Sequence, residues 1–88
     1  MDYEKEIFKL VQYFDNNCLP YTLENLWGGY KFAPVPQNWD AICHDFSYGH
    51  EKGLLEIMGS LVKENHSDVV EGFLTADDII KRLEAKAV

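Results

Sequence analysis

Lysine and arginine are scarce in this chain. There are eight in 88 residues, against fifteen aspartates and glutamates, for a net charge of −7. Such a surface repels phosphate backbones, which argues against direct binding of nucleic acid. Cysteine is nearly missing: Cys18 and Cys43 are too few for the disulfide framework of a small secreted domain. Apolar runs are short, and none approaches the roughly 20 residues of a membrane span. The opening residues Asp2, Glu4, Lys5 and Glu6 are charged where a signal peptide needs an apolar stretch. Together these absences point to a soluble cytoplasmic protein with reduced thiols and no membrane partner.

What the chain does have is enough apolar matter for a core, 47% of its residues, which excludes a disordered chain. Residues 1–88 are expected to form one compact domain, near the lower size limit for folding alone. The acid is concentrated toward the end, with ten acidic against five basic residues over 40–88. Solubility explains that charge, and so does a basic protein partner, including one whose own ligand is nucleic acid.

Tyr3, Ile7, Leu10, Val11 and Phe14 recur at helical spacing, so an amphipathic helix is predicted over 3–16, capped by Asp2. Cys18 and Leu19 would extend its apolar stripe. Tyr21–Trp27 reads as a strand or a short helical stretch, and Gly28-Gly29 as a hairpin turn into Tyr30-Lys31-Phe32. Pro34 and Pro36 end that strand and confine it to an edge or a loop. Residues 39–46 form the next strand, with Ala41, Cys43 and Asp45 on one face and Ile42, His44 and Phe46 on the other. Gly49 and Gly53 bracket a turn. Residues 54–62 fit a helical stripe, but a strand over 54–61 is preferred because it can pair with 69–74 across a polar loop at 63–68. Thr75 caps a final helix, with Asp77 and Asp78 at the positive end of its dipole. The fold class is α+β: an N-terminal helix, a small antiparallel sheet of short strands and a C-terminal helix.

Chemistry-bearing side chains crowd the stretch from Trp39 to Gly59. Cys43, His44, His50 and His66, with Cys18 or Asp40, are metal-ligand types, but no C-x₂-C or H-x₃-H spacing occurs. Adjacent strand residues also point to opposite faces, so a buried Cys43 and a surface or hydrogen-bonded His44 is the preferred reading. A Cys43 nucleophile would need a base and an oxyanion donor pair, and nothing in the sequence shows either. Asp77 and Asp78 are explained as first-turn helix residues, with Glu51, Glu56 and Glu64 scattered. Gly28-Gly29 lacks the pattern of a phosphate loop. No metal, cofactor or enzymatic activity is expected.

The run Cys43-His44, Ser47-Tyr48-Gly49 and Gly53-Leu-Leu-Glu-Ile-Met-Gly59, followed by Val69-Val70 and Leu74-Thr75-Ala76, resembles small proteins of phages and prophages of Gram-positive bacteria. Tyr21, Leu23-Glu24 and Leu26-Trp27 are in keeping with it. The resemblance carries over no functional residue. It implies a setting in which small acidic proteins bind a host factor, anti-CRISPR proteins being one class.

Trp27, Tyr30, Trp39 and Tyr48 flank the hairpin and the central loop, too many aromatics for so small a core to bury entirely. Tryptophan and tyrosine are frequent interface anchors. The expected function is therefore a phage-encoded accessory protein that inhibits a host defence factor, presenting acidic and aromatic residues to a basic host protein such as a nuclease. The expected surface is Trp27, Tyr30, Asp40, Asp45, Tyr48 and Glu51. The alternative is a small-molecule binder that sequesters a nucleotide signal by stacking a base on these aromatics with His44 and His50. That reading requires a local basic pocket around Lys31, Lys52 or Arg82.

Overall fold

Ile7, Leu10 and Phe14 lie along one side of helix α1 (Glu4–Asn16), and all three are buried. The computed structural model describes residues 2–36, 38–62 and 70–86. After α1 come β1 (Tyr21–Leu26), β2 (Gly29–Pro34), β3 (Trp39–Cys43), one 3-10 turn (His50–Lys52), β4 (Leu55–Gly59), β5 (Val70–Leu74) and α2 (Ala76–Lys86). The strands form one antiparallel sheet in the order β1-β2-β3-β4-β5. The architecture is the α+β one expected. The predicted loop at 63–68, with Glu64 and His66, and Val69 lie outside the described residues.

Alternation along the strands separates two faces. Phe32, Ala41 and Ile57 lie in cross-strand register on one of them, joined by Cys43 and Leu55, and all five are fully buried. Both helices contribute to this core: Ile7, Leu10 and Phe14 from α1, Ala76 and Ile79 from α2. The other face carries Lys31, Asp40, Ile42, Glu56 and Met58. The preferred strand over 54–61 is present as β4 and pairs with β5, because only the alternating arrangement buries Leu55 and Ile57 together.

The helix ends follow local chemistry. Asp2 Oδ1 accepts the backbone N–H groups of Glu4 and Lys5, supplying the expected cap of α1. At its other end the N–H of Leu19 bonds to the Phe14 carbonyl and that of Cys18 to Asp15, a Schellman closure. Cys18 takes the left-handed position there, with φ 55°. The apolar stripe therefore stops at Phe14, and Cys18 and Leu19 are exposed rather than continuing it. In α2, Thr75 Oγ1 accepts the Asp78 N–H while Asp78 accepts the Thr75 N–H, a reciprocal capping box. The backbone bond from Thr75 holds the Asp78 carboxyl below the usual carboxylate range. Glu6, nearly buried, reaches across from α1 to accept the Ala76 N–H, so α1 also caps α2.

Three local expectations change. The β1–β2 turn residues are Trp27 and Gly28, with φ 45° and 78°, not Gly28 and Gly29. Gly29 is already in β2, where it is needed for close approach. A Cβ there would lie 1.9 Å from the Cys43 carbonyl oxygen. Strand β2 is internal, not an edge, because it lies between β1 and β3, and Pro34 is tolerated because the ladder to β3 runs only from Tyr30 to Phe32. Strand β3 ends at Cys43 instead of residue 46, because His44 turns the chain.

Candidate functional site

The β1–β2 turn, the end of β3, the start of β4 and the end of β5 meet at one end of the sheet. The Trp27 carbonyl accepts the Asp45 N–H at 3.1 Å, which ties the turn to the loop after β3. Within that loop the His44 N–H donates to Ser47 Oγ at 3.0 Å, and the Ser47 hydroxyl donates to the His44 carbonyl at 3.1 Å. His44 Nδ1 accepts the Phe46 N–H at 3.1 Å. Backbone N–H can only donate, so Nδ1 presents its lone pair here. His44 and Ser47 are buried, and together they make a rigid bracket that holds Phe46 outward, 74% exposed.

The Trp27 ring stands edge-to-face on both neighbours: 5.0 Å and 87° from His44, 5.6 Å and 83° from Phe46. Such pairs contribute about 0.5–1.5 kcal/mol each beyond burial. Yet Trp27 remains 59% exposed.

The second half of the surface rests on β5. Leu55 pairs with Leu74 but Ile57 with Glu71, so three steps of β5 oppose two of β4. This bulge places Phe73 in a left-handed conformation, φ 61°, with its side chain 54% exposed. Glycine is the usual residue at such a bulge position. Beside it, a Cβ on Gly72 would lie 2.4 Å from the Tyr48 Cβ, so the Tyr48 backbone lies directly on the strand. The Tyr48 N–H donates to Glu56 Oε1 at 2.8 Å, and its ring is 60% exposed.

Acid rims this aromatic end. The Tyr3 hydroxyl donates to Asp45 Oδ1 at 2.8 Å, and His50 Nε2 lies 3.5 Å from Glu51 Oε2. The hydrogen bond to the Asp45 carboxylate, then burial, pushes the Tyr3 phenol above its ordinary pKa.

Of the six residues expected to form the surface, Trp27, Asp45, Tyr48 and Glu51 belong to this end. Tyr30 does not: its ring packs against Phe8 of α1 on the helix side, and its hydroxyl donates to Glu4 at 2.9 Å. Asp40 lies on the open face near the far end of β3, about 13 Å along the strand from His44. There it lines a shallow depression with Lys31, Ala33, Asn38 and Met58. Burial raises its carboxyl, partly offset by Lys31. Phe46, Phe73 and Glu56 were missed. Phe46 read as a strand residue and Phe73 as half of an apolar β5, and nothing local marks either as exposed.

Cys43 is fully buried in the core, and His44 points to the opposite side of β3. Burial first, then the charges of Asp2 and Glu6, push the Cys43 thiol up to about 11. At neutral pH a small alkylating reagent is therefore expected to modify one thiol per folded chain, the exposed Cys18. Rapid modification of both, counted by mass, would contradict this placement. Among the described residues no group of three or more His, Cys, Asp or Glu side chains is placed to hold a metal ion. The three basic residues named for a nucleotide pocket are engaged apart: Arg82 pairs with Glu71, Lys31 lies beside Asp40, and Lys52 is in the 3-10 turn. No described helix is long and apolar enough to cross a membrane. No protein-family model, curated protein or solved structure matches this chain.

Proposed function

We propose that this chain is a non-enzymatic binding module whose aromatic, acidic end docks on a basic surface of a partner protein. In the setting that the phage resemblance implies, that partner is a host defence factor, such as a nucleic-acid-binding nuclease, which the module inhibits in an anti-CRISPR-like manner. The observation that carries the docking reading is the pair Trp27 and Phe73. Each is a bulky aromatic in a left-handed backbone conformation, where it costs about 1–3 kcal/mol, and each leaves more than half of its surface in water. Folding alone favours glycine or asparagine at both places. Display of the rings to a partner accounts for the choice. The net charge of −7 speeds association with a basic protein, and the aromatic anchors supply most of the affinity. The separation of Lys31, Lys52 and Arg82 supports this reading over nucleotide sequestration.

Phe73→Gly separates binding from stability. It relieves the strain, so the variant should melt no lower than the natural chain and up to about 1 kcal/mol more stably. With the purified domain as bait in a Gram-positive host lysate, read by mass spectrometry at low and high salt, a basic partner captured by the natural chain should be lost or sharply depleted on Phe73→Gly and on Phe46→Ala. Capture that survives both substitutions sinks the reading. An empty lysate experiment together with a thermal shift by nucleotides would favour the sequestering alternative.

A further inference from the structure

The open face of the sheet buries a carboxylate that no cation among the described residues neutralises. Glu56 is only 7% exposed. It stands on β4 opposite Ile42 of β3, with the Gly72–Phe73 bulge of β5 on its other side and the Tyr48 backbone above it. Its Oε1 accepts the Tyr48 N–H, and among the described residues no lysine, arginine or histidine lies within ion-pair distance. The contrast within this fold is informative. Glu6 has Lys9 at 3.4 Å, and Glu71 has the bidentate Arg82. A carboxylate this deep ordinarily has a charge partner, because desolvation penalises it otherwise.

We infer that Glu56 is the receptor for an arginine side chain of the partner, whose guanidinium stacks on the exposed ring of Tyr48 beside it. This rests on the docking reading above and names the group recognised. The chemistry selects arginine over lysine. A guanidinium is planar, weakly hydrated and able to stack on aromatic faces while donating to a carboxylate. An ammonium keeps its hydration more tightly and gains less from a ring-lined site. One Glu56 oxygen is already committed to Tyr48, which leaves the other for the incoming donor. Asp45 and Glu51 at the rim add long-range attraction without discriminating between the two cations.

The probes are capped peptides of four arginines, four lysines or four citrullines, titrated calorimetrically into the intact chain and into Glu56→Gln and Tyr48→Leu. Glutamine keeps the acceptor for the Tyr48 N–H, so Glu56→Gln should melt no lower than the natural chain. The arginine peptide is expected to bind at least roughly tenfold more tightly than the lysine peptide, and the citrulline peptide not detectably. Glu56→Gln should remove about tenfold of the arginine affinity and leave the lysine affinity within about threefold. Tyr48→Leu should erase the preference for arginine. Equal binding of the arginine and lysine peptides, an arginine affinity unmoved by Glu56→Gln, or no binding of either peptide overturns the inference. Partner capture in the lysate experiment is read independently, so loss of the arginine site with capture intact leaves the docking reading standing. Loss of capture with the arginine preference intact does the reverse.

Discussion

Replacing Gly29 by alanine is expected to destabilise the domain by about 4 kcal/mol, the upper range for a single substitution. The reason is geometric. The added Cβ would stand 1.9 Å from the Cys43 carbonyl oxygen and 2.7 Å from the His44 Cα. Both are main-chain atoms of the adjacent strand, and neither can move without breaking the Tyr30–Cys43 register beside them. Gly28→Ala provides the contrast. Its φ of 78° disfavours alanine by about 1–2 kcal/mol, but its Cβ would meet only the Asp45 side chain, which can swing away. For a domain of this size each kcal/mol corresponds to roughly 4–8 °C in melting midpoint. Thermal denaturation followed by circular dichroism should therefore place Gly29→Ala roughly 16–32 °C below the natural chain, and Gly28→Ala roughly 4–16 °C below it. Near-equal midpoints for the two variants would show that the strands do not approach so closely. Total stabilities of small domains are only about 5–15 kcal/mol, so Gly29→Ala consumes a large part of what this fold has.

The second large effect is at Arg82. Its guanidinium donates to both oxygens of Glu71, at 2.8 and 2.6 Å, and to the Leu61 carbonyl at 3.2 Å. These contacts fasten α2 to β5 and to the segment after β4. The two side chains are 18% and 11% exposed, so solvent screens the pair weakly. The hydrogen bond to Glu71 is the main reason that the Arg82 pKa is raised above its already high value. Arg82→Met keeps the apolar stem and removes the charge, leaving the Glu71 carboxylate buried without its guanidinium. Removing one partner of such a pair costs about 3 kcal/mol or more, or a midpoint lower by roughly 12–24 °C. Substituting Glu71 by leucine in the same chain should recover part of that loss, because the buried carboxylate then disappears with its guanidinium. A single Arg82→Met variant that melts with the natural chain would mean that the ion pair does not hold α2. Gly29 supports the loop carrying His44 and Phe46, while Arg82 lies away from the aromatic end, so on the docking we propose Arg82→Met with its midpoint above the assay temperature should still capture the same protein.

Much of the fold was legible in the residues alone. The helical spacing of Ile7, Leu10 and Phe14, the alternation of Ala41 and Cys43 with Ile42, and the Thr75 cap are local patterns, each set by backbone geometry over a few residues. Half of the candidate surface was legible for the same reason, since Trp27, Asp45, Tyr48 and Glu51 stand at turn and loop positions. The remainder depended on what distant segments cover. Trp27 and Trp39 are the same residue type in similar company, yet α1 covers Trp39 through Phe14 while Trp27 stays 59% exposed. Tyr30 and Asp40 looked equivalent to their neighbours until the strand pairing put one beneath the helix and the other far along the open face.

By itself, then, the amino-acid sequence determined the class of the fold, the placement of its two helices, and the acidic, cysteine-poor character of the chain. These depend on composition and short-range periodicity. Only the tertiary structure decided which aromatics face water, which carboxylates go into the interior, and that Trp27 and Phe73 occupy left-handed positions. Burial is a property of pairs of segments far apart in the chain. The bulge and the primed turn arise only when the strands pair and twist against one another.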